Sequence, residues 1–302
     1  MDLTYLRDNA HLLPTLLAHQ RVRTTPVAGG SICVTEHLTL DDGTDLLLKT
    51  WPGGVPETPT EHRQSAPHGF FAAEARGLRW LAGAPGGAPV PELFAATDEL
   101  LLMEWVEHGS PTAEAAERLG RQLAATHKAG AGSFGWTNGE ETLGGYLGSL
   151  PLDNTPGEDW PMWFLERRIM PYLKISVDRG VFDSKEAARI EAVPIEAPTE
   201  VPARIHGDLW PGNVLWGADG TARLIDPAAH GGHRETDLAA LHLFGGAPFL
   251  DRIIAGYQEI WPLADGWRDR IALHQLPVLL AHTGMFGSAY KGAVLSAVEE
   301  CG

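Results

Sequence analysis

The stretch His206-Gly-Asp-Leu-Trp-Pro-Gly-Asn213, followed by Ala222-Arg-Leu-Ile225 and then Asp226-Pro-Ala228, decides how this chain of 302 residues reads. A loop rich in glycine and proline holds a carboxylate, Asp208, and a side-chain amide, Asn213, five residues apart. A strand-like apolar run then delivers a second carboxylate, Asp226, so that three oxygen-bearing side chains can converge on one point. Phosphoryl transfer needs that convergence. One carboxylate must sit beside an acceptor hydroxyl, orient it and take its proton. An amide and a second carboxylate must hold the divalent ion that bridges nucleotide phosphates. Loop stabilisation is the plainer reading of acidic and amide residues, but it does not require the whole array.

The spacing matches the catalytic loop and metal-binding Asp of protein kinases, with Asp-Pro-Ala in place of Asp-Phe-Gly. Working outward from it, Lys49 closes the strand-like run Leu46-Leu-Leu-Lys, where a kinase places the lysine that grips the α- and β-phosphates. Glu74, on a helix predicted over residues 70–81, is the carboxylate that would orient it. Each alone reads as a surface charge; their order ahead of the catalytic loop makes them a pair. Gly29, Gly30 and Ser31 fall in a turn before Lys49, where main-chain N–H groups could cover phosphates, although a plain hairpin turn would use the same residues. Leu101-Leu-Met-Glu-Trp-Val106 is an apolar strand placed to join two lobes. Its backbone at Glu104 and Val106 would read adenine, with Met103 lining the back of the pocket. ATP and Mg²⁺ are therefore the expected cofactors.

The pattern changes along the chain. Leu3, Leu6, Leu12, Leu13, Leu16 and Leu17 predict a helix over 3–20 around Pro14. Strands are predicted over 34–40 and 45–50 with Asp42-Gly43 as their turn, and over 99–106, while 51–68 reads as an exposed loop. Beyond that the periodicity is helical, over 112–129, 160–173, 184–191, 235–244, 249–260 and 267–281. The expected fold is α+β: a two-lobed protein-kinase-like fold, with a small β-rich N-terminal lobe over 1–105 and a larger helical lobe over 106–302.

Composition narrows the partners. A net charge of −16 argues against non-specific attraction to nucleic acid or to an anionic membrane. Two cysteines, Cys33 and Cys301, are too few for a disulfide framework and fit a reducing compartment. The first residues form neither a signal peptide nor an anchor, and no run approaches the roughly 20 apolar residues that span a bilayer. A cytoplasmic protein with a small-molecule substrate is expected, and the oligomeric state is left open.

The chain resembles the fructosamine kinase (ketosamine-3-kinase) family, relatives of aminoglycoside and choline kinases. The resemblance rests on GGSI at 29–32, FFAAEARGLRWL at 70–81, LLMEWVE at 101–107 and LGRQLAATH at 119–127. It continues with FGW at 134–136, HGDLWPGN at 206–213, DPAAHGGHRETDLAALHLFGG at 226–246 and HTGMFGSAY at 282–290. It implies transfer of the ATP γ-phosphate to the 3-hydroxyl of a sugar carried on an amine, free or protein-linked. Asp208 would be the base, Asn213 and Asp226 the metal ligands, and Lys49 with Glu74 the phosphate clamp. Trp210 would offer a platform to the sugar and His282 would line the acceptor pocket; core packing is the plainer reading of both. Glu235 and Asp237 match the start of a family helix and read as capping or ion-pair residues. The chain departs from the family at Ala229-His230, at 140–154 and at Ala281-His282, segments that would border the acceptor. An aminoglycoside- or choline-type phosphotransferase, or an inactive binding module of the same fold, stands as the alternative.

Overall fold

The computed structural model describes residues 3–13, 17, 23–27, 32–52, 65–137 and 144–302. Five antiparallel strands form one sheet in the order β1-β2-β3-β5-β4: β1 Arg23–Pro26, β2 Val34–Thr39, β3 Asp45–Thr50, β4 Leu93–Ala96 and β5 Leu100–Glu104. Alternation along β3 and β5 sends successive side chains to opposite faces. Leu46, Leu48, Leu100 and Leu102 pack with Leu6, Leu13 and Phe94 on one face. Leu101 and Met103 pack with Phe70, Phe71 and Leu78 on the other. Because both faces are covered, β5 reads as an unbroken apolar run rather than an alternating one.

The Phe70–Ala82 helix covers the second face and reaches the helical part of the molecule at Gly77. A Cβ there would lie 3.2 Å from Pro227 Cγ, so the glycine sets how closely the helix meets the Asp226-Pro227 turn. In the helical part, Thr112 caps the Ala113–Lys128 helix through a bond from Ala115 N. This helix crosses the Leu250–Ile260 helix at Gly120 and Gly256. The Ile271–Phe286 helix is apolar all round and lies in the core.

Four three-residue strands, β8 Ala203–Ile205, β9 Val214–Trp216, β10 Ala222–Leu224 and β11 His230–Gly232, complete the frame after the β6 Gly145–Leu147 and β7 Leu150–Leu152 hairpin. β8 pairs with β11 and β9 with β10, both antiparallel. The motif loops hang from these strand ends: His206 follows β8 and Asp226 follows β10. The architecture is α+β, a small β-rich lobe and a larger helical one, as the sequence predicts.

Four predicted helices differ in detail, the one predicted over 160–173 by a π turn over Leu165–Ile169 and by its continuation to Asp178. The N-terminal helix runs only from Leu3 to Asp8 and breaks at Asn9, whose side-chain amide donates to Tyr5 O at 3.0 Å and competes with the helix ladder. A 3₁₀ turn, Ala10–Leu12, follows, and the prediction at 14–16 and 18–20 lies outside the described residues. The helix predicted over 235–244 stops at Ala240, because Phe244 takes a left-handed backbone (φ 53°). The helix predicted over 267–281 begins as a 3₁₀ turn and continues to Phe286.

Candidate active site

Lys49 Nζ, on β3, lies 2.8 and 2.7 Å from the two carboxylate oxygens of Glu74 and 2.9 Å from Asp226 Oδ1. Residues 25 and 177 positions away in sequence thus meet at one ammonium. Burial alone would lower the lysine's pKa. Asp226 and Glu74 outweigh it and hold the ammonium above the ordinary range. Burial pushes the Glu74 carboxyl up while Lys49 pulls it down; two short contacts from one ammonium to both oxygens are the geometry of an ion pair. Asp226 has a left-handed backbone (φ 56°), an uncommon state for a non-glycine residue, which aims its carboxylate at the lysine.

The loop after β8 is held from beneath by Asp237. Its carboxylate accepts from His206 N at 2.7 Å, Gly207 N at 2.9 Å and His127 Nε2 at 3.0 Å. With Nε2 donating, His127 Nδ1 accepts from the Tyr257 hydroxyl at 2.8 Å. Burial would raise the Asp237 carboxyl, but the bonds from His127 and His206 hold it below the ordinary aspartate range. His206 Nε2 donates to Ile225 O at 2.8 Å, which ties the loop to the segment carrying Asp226. Gly207 (φ 81°) is obligatory, since a Cβ would lie 2.3 Å from Ala228 O. Asn213 Nδ2 closes the loop by donating to Asp208 O at 2.8 Å.

Asp208 Oδ1 is buried without a hydrogen-bond partner. Burial, and then the charge of Asp226, raise this carboxyl well above the ordinary aspartate range. A half-satisfied carboxylate in a cleft is suited to accept a proton from an incoming hydroxyl.

The cleft is about 480 Å³ and runs between the two lobes. Glu104 and Val106 line it as predicted, together with Trp105, whose indole stacks on His37 at 3.9 Å. Among the described residues the Val106 N–H has no main-chain partner. Met103 is a correction: it shares a face of the sheet with Leu47 and Lys49, which line the cleft, but the Phe70–Ala82 helix packs over it and leaves it one layer behind. Gly29, Gly30 and Ser31 lie outside the described residues. Cys33 does line the cleft, and burial pushes its thiol up to about 12, which argues against thiolate chemistry there.

Trp210 and His282 both line the cleft and belong to one aromatic group. Trp210 meets Phe244 edge-on at 5.6 Å, Phe244 meets His282 at 5.3 Å, and His282 meets Tyr290 at 4.8 Å and Phe286 at 5.6 Å. Phe244 and Phe286 are 47% and 41% exposed, although large aromatic side chains are seldom left in water. His282 Nδ1 donates to Val278 O at 2.7 Å; burial lowers its pKa, so the ring is neutral and presents Nε2 as an acceptor.

Sequence reasoning leaves Tyr290, Asn154 and the role of Asp237 unread. The N-terminal cap of the Glu235–Ala240 helix is Arg234, so neither acid is its capping residue; the ion-pair reading fits Glu235, while Asp237 accepts hydrogen bonds from the neutral His127 and from two main-chain N–H groups. Glu235 pairs with Arg270 at 2.6 and 2.8 Å. It also lies near His233 and His274, the one histidine–carboxylate group among the described residues compact enough to share a cation, but Arg270 already occupies its carboxylate.

Asn213 and Asp226 fit a divalent ion by their chemistry. Asn213 spends its amide nitrogen on Asp208 O and so turns its amide oxygen away, and Asp226 adds a carboxylate; Mg²⁺ takes one or two such hard oxygens beside phosphate oxygens.

A family model described as fructosamine kinase matches residues 17–301. A protein of Thermus thermophilus named "Probable ketoamine kinase" is 37% identical over 238 residues, 78% of this chain and 84% of that one. The chloroplastic protein-ribulosamine 3-kinase of Arabidopsis thaliana is 28% identical over 293 residues, 94% of this chain and 83% of that one. A structure solved for a candidate fructosamine-3-kinase of Thermobifida fusca superposes with a TM-score of 0.82 at 45% identity, covering 93% of this chain and 94% of that one.

Proposed function

The chain belongs to the fructosamine kinase family of phosphotransferases, and from that premise we propose that it transfers the γ-phosphoryl group of ATP to the 3-hydroxyl of a ketosamine, a ketose sugar linked to an amine that is free or part of a protein. Residues 1–105 and 106–302 act as the two lobes that close on the nucleotide.

Each role follows from a position in the cleft. Lys49, oriented by Glu74, holds the α- and β-phosphates, and the main chain from Glu104 to Val106 meets adenine. Gly29, Gly30 and Ser31 are assigned from the sequence alone, as donors of main-chain N–H groups to the phosphates. Asn213 and Asp226 hold Mg²⁺, which when bound neutralises charge on the phosphate oxygens. Asp208 takes the acceptor's hydroxyl proton as that oxygen bonds to the γ-phosphorus; the bond from phosphorus to the β–γ bridging oxygen breaks and ADP leaves with the electron pair.

One observation carries the choice of acceptor: the wall beside Asp208 is aromatic, from Trp210 to Phe286, rather than acidic. Among the described residues the carboxylates lining the cleft are Glu74, Glu104, Asp208 and Asp226. Glu74 and Asp226 are engaged with Lys49, and Glu104 accepts from Glu92 N at 3.1 Å. Among the described residues that leaves no cluster for the several ammonium groups of an aminoglycoside. A sugar face on Trp210, with its amine substituent among the other rings, suits the wall better.

The test is ADP release at saturating Mg-ATP with ribulosyl-lysine, fructosyl-lysine, kanamycin and choline. Ketosamines should exceed the other two by tenfold or more in kcat/KM. A tenfold preference for kanamycin or choline would overturn the acceptor and leave the kinase; no turnover with any acceptor would favour an inactive binding module.

A further inference from the structure

Arg168 is 4% exposed, and among the described residues no carboxylate lies within ion-pair distance of it. A buried guanidinium without a counter-charge is costly, so what it binds deserves a reason. The local cause lies in the sequence Arg167-Arg168-Ile169-Met170-Pro171. Pro171 has no N–H to give the carbonyl of Arg167, and the backbone widens into a π turn over Leu165–Ile169. Arg168 Nη1 donates to that freed Arg167 O at 3.0 Å and to Asp153 O at 2.6 Å. Nη2 donates to Asn154 Oδ1 at 2.7 Å, and Nε to His230 Nε2 at 3.3 Å. The plane of the group rests 4.2 Å above the ring of Trp163.

These bonds fix the direction of two ambiguous side chains. His230 Nδ1 donates to Ala228 O at 2.7 Å, so its Nε2 must be the acceptor that Arg168 meets. Arginine can only donate, so the Asn154 amide cannot turn over: its oxygen faces Arg168 and its NH₂ group faces away. Asn154 lines the cleft, and its Nδ2 has no hydrogen-bond partner among the described residues. Nδ2 packs on Gly145, where a Cβ would lie 3.2 Å from it. The same guanidinium thus joins the turn after β7 to the segment that follows Asp226.

We propose that Asn154 determines acceptor binding by donating Nδ2–H to an oxygen of the ketosamine sugar, and that Arg168 is the residue that positions it; the assignment of a sugar oxygen rests on the acceptor reading above. Packing of the 145–154 hairpin alone would require neither a fixed amide direction nor a free donor in the cleft.

The experiment compares wild type, Asn154→Asp, Asn154→Ala, Arg168→Lys and the Asn154→Ala/Arg168→Lys double variant by steady-state kinetics and thermal melting. Asn154→Asp keeps an oxygen against Arg168, now as an ion pair, but replaces the free donor with an acceptor. Its Tm should equal or exceed wild type while the ketosamine KM rises roughly tenfold or more and the ATP KM stays the same. Arg168→Lys should raise the ketosamine KM in the wild-type background and add little to it in Asn154→Ala. An Asn154→Asp acceptor KM within twofold of wild type would overturn the role of Asn154, and equal effects of Arg168→Lys in both backgrounds would overturn the positioning role. If wild type turns over no ketosamine, the acceptor reading fails instead, and the Asn154→Asp comparison on whichever alcohol is phosphorylated decides the residue assignment.

Discussion

Asp208 carries a buried oxygen with no partner, and burial together with Asp226 raises its carboxyl well above the ordinary aspartate range. The folded protein therefore takes up this proton at a higher pH than the unfolded chain does. The group's contribution to stability is complete below the unfolded pKa and is lost as pH rises through the folded one. At neutral pH the unfolded chain ionises this carboxyl more readily than the folded protein does, so keeping it in the ligand-free site costs stability. Asp208→Asn should accordingly melt above wild type at neutral pH, with the gap closing as pH falls toward the ordinary aspartate range, while kcat drops about 10²–10⁴-fold. Calorimetry across pH and turnover assays check both halves; a variant of normal activity, or one less stable at neutral pH, would contradict the assignment. Asp226→Ala should lose Mg²⁺-dependent nucleotide binding together with turnover, and an effect confined to the acceptor KM would contradict its metal role. At this scale the motif residues were legible because their spacing is local: Asp208 and Asn213 share one loop. Asn154 and Tyr290 were not, because an amide or a ring has no signature until its partners, Arg168 and His282, are placed.

The Ala113–Lys128 and Leu250–Ile260 helices cross where glycines remove the side chains. A Cβ on Gly120 would lie 1.9 Å from Ile253 O, and one on Gly256 would lie 2.1 Å from Glu117 O. Those contacts are with backbone, so the helices would have to part. The same helices carry His127 and Tyr257, the bonded pair that supports Asp237 beneath the loop that carries Asp208. Gly120→Ala should cost about 1–3 kcal/mol in urea unfolding and should also lower kcat, because parting the helices displaces that support. A destabilised variant with unchanged kcat would show that the crossing bears on stability alone. Long amphipathic helices were readable from periodicity, as was the strand-like run at 222–225 that becomes β10, but β6 to β9 and β11 were not. Each has three residues, too few to show a period of two, and β8 meets β11 only across a long stretch of intervening sequence. Phe244 shows the same limit: its left-handed backbone ends a helix whose apolar pattern runs on.

Across the whole molecule, Lys49 and Glu74 belong to the sheet and its covering helix, while Asp226 belongs to the helical part, so the Lys49–Asp226 ion pair bridges the lobes. Residues that act as one unit give non-additive losses. Lys49→Met should slow turnover, Glu74→Gln should do so more mildly, and the double variant should lose much less than the two effects combined; full additivity would argue against the pair. The division into lobes was legible from the change of periodicity, since it depends on composition over long segments. Net charge bounded the partners without locating a site. Among the described residues no helix is long and apolar enough to cross a membrane. In the proposed reaction the nucleotide and the sugar meet in the cleft at a single oxygen, and the product records that junction. The direct measurement is ³¹P–¹H correlation NMR of the product made from fructosyl-lysine and Mg-ATP by a catalytic amount of the protein. A single phosphoester on the sugar's 3-hydroxyl, formed in step with ADP, is the predicted result. Phosphate on another position, or ADP released with inorganic phosphate and no ester, would contradict it.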